Sequence, residues 1–356
     1  MTDLFSPVKL GALELANRII MAPMTRSRAG ADDEAQDIMA TYYAQRATAG
    51  LIITEGVYPC LDGKGYVRTP GIVTEKQIQS WRKVSDGVHA VGGKIVMQLM
   101  HCGRVASAHN KPAGSRTLAP SAIQAKGEIY TDAVGMAPLE MPEEMSLAEI
   151  EQTIEAFAQA AENAINAGMD GVECHFTSGY LPAQFLSTGT NHRTDAYGGS
   201  LENRLRFPLA VLDAVSARIG ASRVGFRICP GNPFNDLHDD DPAETFAHLL
   251  QEASKRQLAY VHVIRMDAGV DNIALAQQYF QGPIICNESY KLPEAQELVA
   301  DPDNGIEAIA FGRAFIANPD LVRRFQEGRP LEKVDFSKIY TAGEEGYIDY
   351  KDYSDG

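Results

Sequence analysis

Eight short apolar runs recur along this chain, and a longer stretch of helical periodicity follows each one. The runs are 18–22, 51–54, 94–99, 171–175, 224–229, 260–264, 283–286 and 308–311. Each has the length of a buried parallel strand, and β-branched residues are frequent in them. The amphipathic stretches are 38–49, 76–91, 147–167, 201–219, 243–256, 273–280, 293–300 and 319–327. Ser146 with Glu149 forms a capping box at the head of the third, and Gly50, Gly92 and Gly168 stand where helix C-caps are expected. Parallel strands need crossover connections, and helices supply them here. Eight strand–helix units in series predict an α/β protein: a closed (β/α)8 TIM barrel, one domain over residues 1–356. Length alone would allow two or three domains, but such barrels run well past the usual domain size.

The rival architecture is a doubly wound open sheet. It would carry G-x-G-x-x-G after the first strand and gather its chemistry at one switch point. The first run is followed by Pro23, Met24, Thr25 and Arg26 instead, and chemistry-bearing residues recur at many run ends. Two segments exceed the simple repeat: an excursion at about 102–145 after strand three, and a polar loop at 178–200 after strand four. Long loops at the C-terminal face of a barrel build its active site.

Net charge is −15, which repels phosphate backbones and anionic lipid, so the expected partner is a small molecule rather than nucleic acid or membrane. No stretch is apolar enough to span a bilayer, and the N-terminus lacks a signal pattern. The five cysteines, Cys60, Cys102, Cys174, Cys229 and Cys286, are widely spaced with no C-x-x-C pair. That disfavours zinc ribbons and iron–sulfur clusters and points to a reducing, cytoplasmic compartment. Monomer and homodimer both remain open.

The strand ends carry Thr25, Gln98, His101, His175, Arg227 and Arg313, with Tyr180 in the loop after strand four. They form a set of hydroxyl, amide, imidazole and guanidinium donors. No Asp or Glu cluster accompanies them at metal-ligand spacing, so no metal site is expected. Donors without carboxylates suit an electron-rich, anionic ligand such as a reduced flavin. Gly312-Arg313 falls where barrels build a phosphate site. Structural readings stand beside these: Arg227 in a salt bridge, Gln98 as a core amide, Ser178 as a plain loop serine, Tyr340 as packing.

Six blocks then resemble the Old Yellow Enzyme family: NRIIMAPMTRSR ending at Arg28, QLMHCGR from Gln98, AGMDGVECHFTSGYLPAQFLS from Ala167, TNHRTDAYGGSLENR from Thr190, AFGRAFIANPDL from Ala310 and EGYIDY from Glu345. They span nearly the whole chain in the family's order. The resemblance implies bound FMN, NADPH or NADH as reductant, and reduction of the C=C bond of activated alkenes such as enones and maleimides, with nitro compounds as a further class. It implies that Thr25 bonds flavin O4, Gln98 the pyrimidine edge, and Arg227 the N1–O2 side. Pro23 and Gly56 would line the ring. Asn287, Gly312 and Arg313 would hold the phosphate. His175 would bind the substrate oxygen, Tyr180 would supply a proton, and Tyr66 and Tyr340 would line the pocket.

Three positions depart from the family pattern. Ser178 stands where His or Asn is usual as second oxygen-binding residue. Met100 stands where Trp is frequent, and Glu288 where small residues are common. Serine reaches less far and offers one donor. Methionine makes a pliable wall. A carboxylate beside a phosphate is unfavourable, so Glu288 is expected to point away. Two alternatives follow: a flavin-binding barrel with weak turnover because of Ser178, and a flavin-free barrel such as an aldolase. The latter needs a Schiff-base lysine or a carboxylate base at a strand end, and neither is evident.

Overall fold

The computed structural model describes residues 3–353. Eight parallel strands close into a barrel: β1 (Ile19–Met21), β2 (Leu51–Val57), β3 (Ile95–Leu99), β4 (Gly171–His175), β5 (Val224–Ile228), β6 (Tyr260–Ile264), β7 (Ile284–Asn287) and β8 (Ile306–Phe311). Each pairs with the next, and β8 pairs back onto β1. Around them run α1 (Asp37–Gln45), α2 (Glu75–Ala90), α3 (Leu147–Asn166), α4 (Leu201–Ile219), α5 (Pro242–Ser254), α6 (Asn272–Tyr279), α7 (Leu292–Ala300) and α8 (Leu321–Glu327). The open-sheet alternative is excluded by closure.

Local chemistry explains the element ends. Ser146 accepts from the Glu149 amide while the Glu149 side chain reaches back, the predicted box. Thr74 and Gln77 make a second box ahead of α2. Gly92 and Gly168 are left-handed, with φ +83° and +87°, and follow α2 and α3 closely. Gly50 is a correction. α1 ends at Gln45, and Gly50 instead lies at the head of β2, where an added Cβ would sit 2.0 Å from the Asn17 carbonyl. Its small size serves a close approach between strands.

Side chains of the strands alternate between the barrel interior and the helix layer. Interior packing at the N-terminal end joins Ile20, Ile53, Val96, Ile285 and Ala308. Tyr260 fills space that Gly225 leaves open on the neighbouring strand; a Cβ at 225 would lie 2.3 Å from the Tyr260 ring. An N-terminal hairpin, Val8–Leu10 with Leu13–Leu15, seals this end, burying Val8, Leu10, Leu13 and Leu15 against the same cluster. Three-residue strands carry too little pattern to be read from the sequence.

At the opposite end, residues 102–145 form a short antiparallel hairpin (Glu128–Thr131 with Gly135–Pro138) and a parallel bridge of Leu118–Ala119 with Glu143–Glu144. The C-terminal segment returns to this end. Arg28 donates to the Lys338, Ile339 and Glu345 carbonyls, and Arg26 donates to the Ile339 and Gly346 carbonyls. Tyr347 stacks on Tyr42 at 4.1 Å, which seats the EGYIDY block against α1.

The hairpin turn is a test of the seal. Gly11 has φ +57°, and a Cβ there would lie 2.3 Å from the Ser222 carbonyl and 2.8 Å from Ala259 Cα. Gly114 has φ +84° with open space around it. The left-handed conformation alone costs an L-residue about 1–2 kcal/mol. Gly114→Ala should therefore cost about 1 kcal/mol and Gly11→Ala clearly more, read as urea midpoints of the two variants. Equal losses would show that the seal does not depend on this contact.

Candidate active site

The C-terminal ends of β1, β5, β7 and β8 enclose a cavity of 230 Å³. Pro23 and Met24 line it from β1, Arg227 from β5, Asn287 to Tyr290 from β7, and Gly312 and Arg313 from β8. The chain turns sharply after β7, with Glu288 and Ser289 both left-handed at φ +87° and +59°. Consecutive non-glycine residues in that region are uncommon and mark functional loops. Arg227 donates Nη2 to Asn287 Oδ1 at 2.5 Å, and Asn287 Nδ2 donates to the Ala310 carbonyl at 2.8 Å. β5, β7 and β8 are thus tied together under the cavity. Arg227 forms an amide contact here rather than the salt bridge that rivalled its flavin reading.

Glu288 corrects an expectation. It does not point away: its carboxylate pairs with Arg313 at 2.5 Å on the cavity rim. The loop after β7 and the residue after Gly312 are joined by opposite charges, with Arg313 exposed and Glu288 half-buried.

Beside Arg227 lies a polar cluster on the barrel axis. Register places His175 opposite Arg227, Arg227 opposite His262, and Glu173 opposite Gln98. Gln98 Nε2 donates to Glu173 Oε1 at 2.7 Å and faces His175 Nδ1 at 3.5 Å. His262 Nδ1 meets Glu173 Oε2 at 2.9 Å. The donor set does include a carboxylate, contrary to expectation: Glu173 is fully buried inside the barrel. One feature could have revealed it: Glu173 shares a strand face with His175 two residues on, in a run otherwise apolar. Burial pushes the Glu173 carboxyl up, but His262, Arg227 and Gln98 outweigh it and hold the group below its ordinary value. Burial, with Arg227 and His262 adding, holds His175 well below the usual imidazole range. His175 is therefore neutral.

Above this floor, Tyr180 caps the short helix Leu181–Leu186. Its ring centroid is 5.1 Å from that of His175, and its hydroxyl is 3.1 Å from that of Tyr66. Burial, then Tyr66 and Cys102, raises the Tyr180 phenol well above its usual value, so it keeps its proton. Met100 packs in the same cluster as Tyr66 and Tyr180 and covers Gly56, where a Cβ would lie 2.5 Å from Met100 Cε. Ser178 is left-handed at φ +60°, with its carbonyl held by Asn235 Nδ2 at 2.7 Å. Thr25 is half-buried one residue beyond Met24. Tyr340 is drawn in least: it is 62% exposed on the latched C-terminal segment.

The donor set fits FMN. Arg227 Nε is shut off from solvent without a hydrogen-bond partner, an arrangement that favours an acceptor beside it. Gly312 keeps side-chain bulk out of the cavity; a Cβ there would meet Met24 Sδ at 3.3 Å. A cation over the exposed rim, Arg313, suits a phosphate, and the amide and imidazole next to Arg227 suit a polar ring edge.

Buried histidines also make stability depend on pH. Burial takes His101 down to about 3 and lowers His175 and His262 from the ordinary 6.5. Below pH 6.5 the unfolded chain binds protons at these rings that the folded protein refuses. Glu55 acts oppositely: burial raises it to about 7, so the folded state keeps a proton that the unfolded chain releases above 4.5. The lowered rings outnumber the raised carboxyl, so the unfolded chain takes up more protons below pH 6.5 and stability falls on acidification, by about 1.4 kcal/mol per pH unit for each net proton. Urea midpoints at about pH 7 and pH 5 should show the drop; unchanged midpoints would contradict the neutral, buried rings.

The profile of the NADH:flavin oxidoreductase / NADH oxidase family matches residues 3–332. A probable flavin mononucleotide-dependent alkene reductase of Leishmania infantum is 39% identical over 98% of this chain and 96% of its own length. Among solved structures, morphinone reductase in complex with tetrahydroNAD is similar at a TM-score of 0.94, with 42% identity over 100% of this chain and 99% of that one. The old yellow enzyme homologue from Zymomonas mobilis also has a TM-score of 0.94, with 36% identity over 98% of this chain and 99% of that one. Near-complete coverage at such identity, on the same barrel, means that the chain belongs to the NADH:flavin oxidoreductase / NADH oxidase family and, within it, to the Old Yellow Enzymes.

Proposed function

We propose that the barrel mouth reduces enones, maleimides and related activated alkenes, with nicotinamide and alkene visiting one face of bound FMN in turn. The observation that carries this reading is the convergence of three groups: neutral His175, protonated Tyr180 with ring centroid 5.1 Å away, and the cation of Arg227 in register with His175. FMN, when bound, supplies the two-electron chemistry, accepting hydride from NADPH or NADH and passing hydride to the alkene.

The protein's part is binding, orientation and proton supply. His175 donates to the carbonyl or nitro oxygen of the substrate and draws electron density from the double bond. Tyr180 gives its phenolic proton to the α-carbon, and the Tyr66 hydroxyl stabilises the oxygen left behind. Arg227 would be the counter-charge for the pyrimidine side of the cofactor, with Gln98 and Thr25 as further partners and Pro23 and Gly56 along the ring. Arg313, Gly312 and the backbone from Asn287 would hold the phosphate, with Arg313 giving up its pairing to Glu288. Met100, Tyr66 and Tyr340 shape the substrate side. We place the enzyme in the cytoplasm, as monomer or homodimer; the five unpaired thiols support a reducing compartment.

A visible spectrum of purified protein, followed by phenol titration, tests this reading. Flavin bands and a long-wavelength charge-transfer band are expected, and colourless protein that FMN does not reconstitute would overturn it. Tyr180→Phe should slow reoxidation by 2-cyclohexenone by tenfold or more in anaerobic stopped-flow, while reduction by nicotinamide stays within about twofold. Equal loss in both half-reactions would remove Tyr180 as proton donor. At Ser178, asparagine tolerates the left-handed backbone better and reaches further with an N–H. Ser178→Asn should tighten phenol binding about tenfold, equivalent to about 1.4 kcal/mol. Unchanged affinity would place residue 178 outside the oxygen site.

A further inference from the structure

We propose that Glu173 is a positioning residue: its two carboxylate oxygens set the amide of Gln98 and, through that amide, the tautomer in which His175 meets the substrate. This rests on the functional reading above.

An ionised carboxylate only accepts hydrogen bonds, so each neighbour must turn a donor toward it. Glu173 Oε1 takes Gln98 Nε2 at 2.7 Å, and Oε2 takes His262 Nδ1 at 2.9 Å. The first contact forbids the flipped amide, which would set carbonyl oxygen against carboxylate. The second makes His262 the Nδ1–H tautomer, and its buried Nε2 is left a lone pair without a partner. Gln98 Nε2 has one more N–H, and it faces His175 Nδ1 at 3.5 Å. That nitrogen must present a lone pair. Since His175 is neutral, its proton sits on Nε2. A substrate oxygen thus meets a donor rather than a lone pair. Gln98 is also held from behind, because its backbone N–H donates to Thr54 Oγ1 at 3.0 Å. All of these groups are buried and have little room to rearrange. Glu173 itself need not touch the substrate: its effect passes through the amide.

The test uses FMN-loaded protein labelled with 15N-histidine, with signals assigned from His175→Asn and His262→Asn. In the wild type the two rings should be opposite tautomers: His175 protonated on Nε2 and His262 on Nδ1. Glu173→Gln can offer an N–H of its own, so Gln98 turns and His175 gains an Nδ1–H population. The phenol dissociation constant should rise tenfold or more in the same protein. An Nδ1–H on His175 in the wild type overturns the proposal. So does Glu173→Gln with unchanged tautomers. If that variant fails to fold or to load FMN, the wild-type tautomer pair decides, with Gln98→Leu as second arm: it keeps the carboxylate, removes the amide and should release His175 alike. A yellow, alkene-reducing enzyme with the wrong tautomers defeats this inference alone. Colourless protein defeats the functional reading first.

Discussion

Charge inside a barrel must be balanced where it stands, and this site is organised around that demand. Arg227 projects from β5 with its Nε closed off from water, and Glu173 lies fully buried on the adjacent strand. Either ion alone would cost several kcal/mol at such a place. Together, with Gln98 and His262 on the carboxylate and Asn287 on the guanidinium, they form a polar core that the barrel tolerates, and Arg227 Nε is left as a buried donor without a partner. The neutrality of His175 follows from the same arrangement, because a second cation beside Arg227 and away from water is unfavourable.

The departures from the family pattern lie on the periphery of this core. Met100 packs with Tyr66 and Tyr180, Ser178 lies in the loop after β4, and Glu288 pairs with Arg313 on the cavity rim; none belongs to the Glu173–Gln98–His262 network. The buried polar network and the departing residues are thus carried by different elements. Barrel strands hold the first, whose geometry is stiff, and the segments after β3, β4 and β7 hold the second.

Much of the scaffold was legible because its signals are local. β4 and β6 fall on the residues expected, and the ends of α3 and α4 are set by side chains adjacent in sequence, Ser146 with Glu149 and Ser200 with the Asn203 amide. The N-terminal hairpin escaped notice because Val8, Leu10, Leu13 and Leu15 become informative only when the barrel end they cover exists. Gly50 misled for a similar reason: a glycine after a helix usually marks its cap, yet the constraint here comes from Asn17, distant in sequence.

The site divides along the same line. Residue types at strand ends, and the six blocks carrying them, were enough to indicate a barrel and a flavin and to single out His175, Tyr180, Arg227 and Gln98 as candidates, since strand alternation dictates which side chains enter the interior. Only the tertiary structure decided how those groups act on one another. Glu173 reads as an isolated acid in an apolar run until β3 and β6 bring Gln98 and His262 to its two oxygens. Glu288 reads as an outward-facing acid until β8 carries Arg313 beside it. Hydrogen bonds and charges act across a few ångströms of space, and the chain brings those partners close only after the barrel has closed.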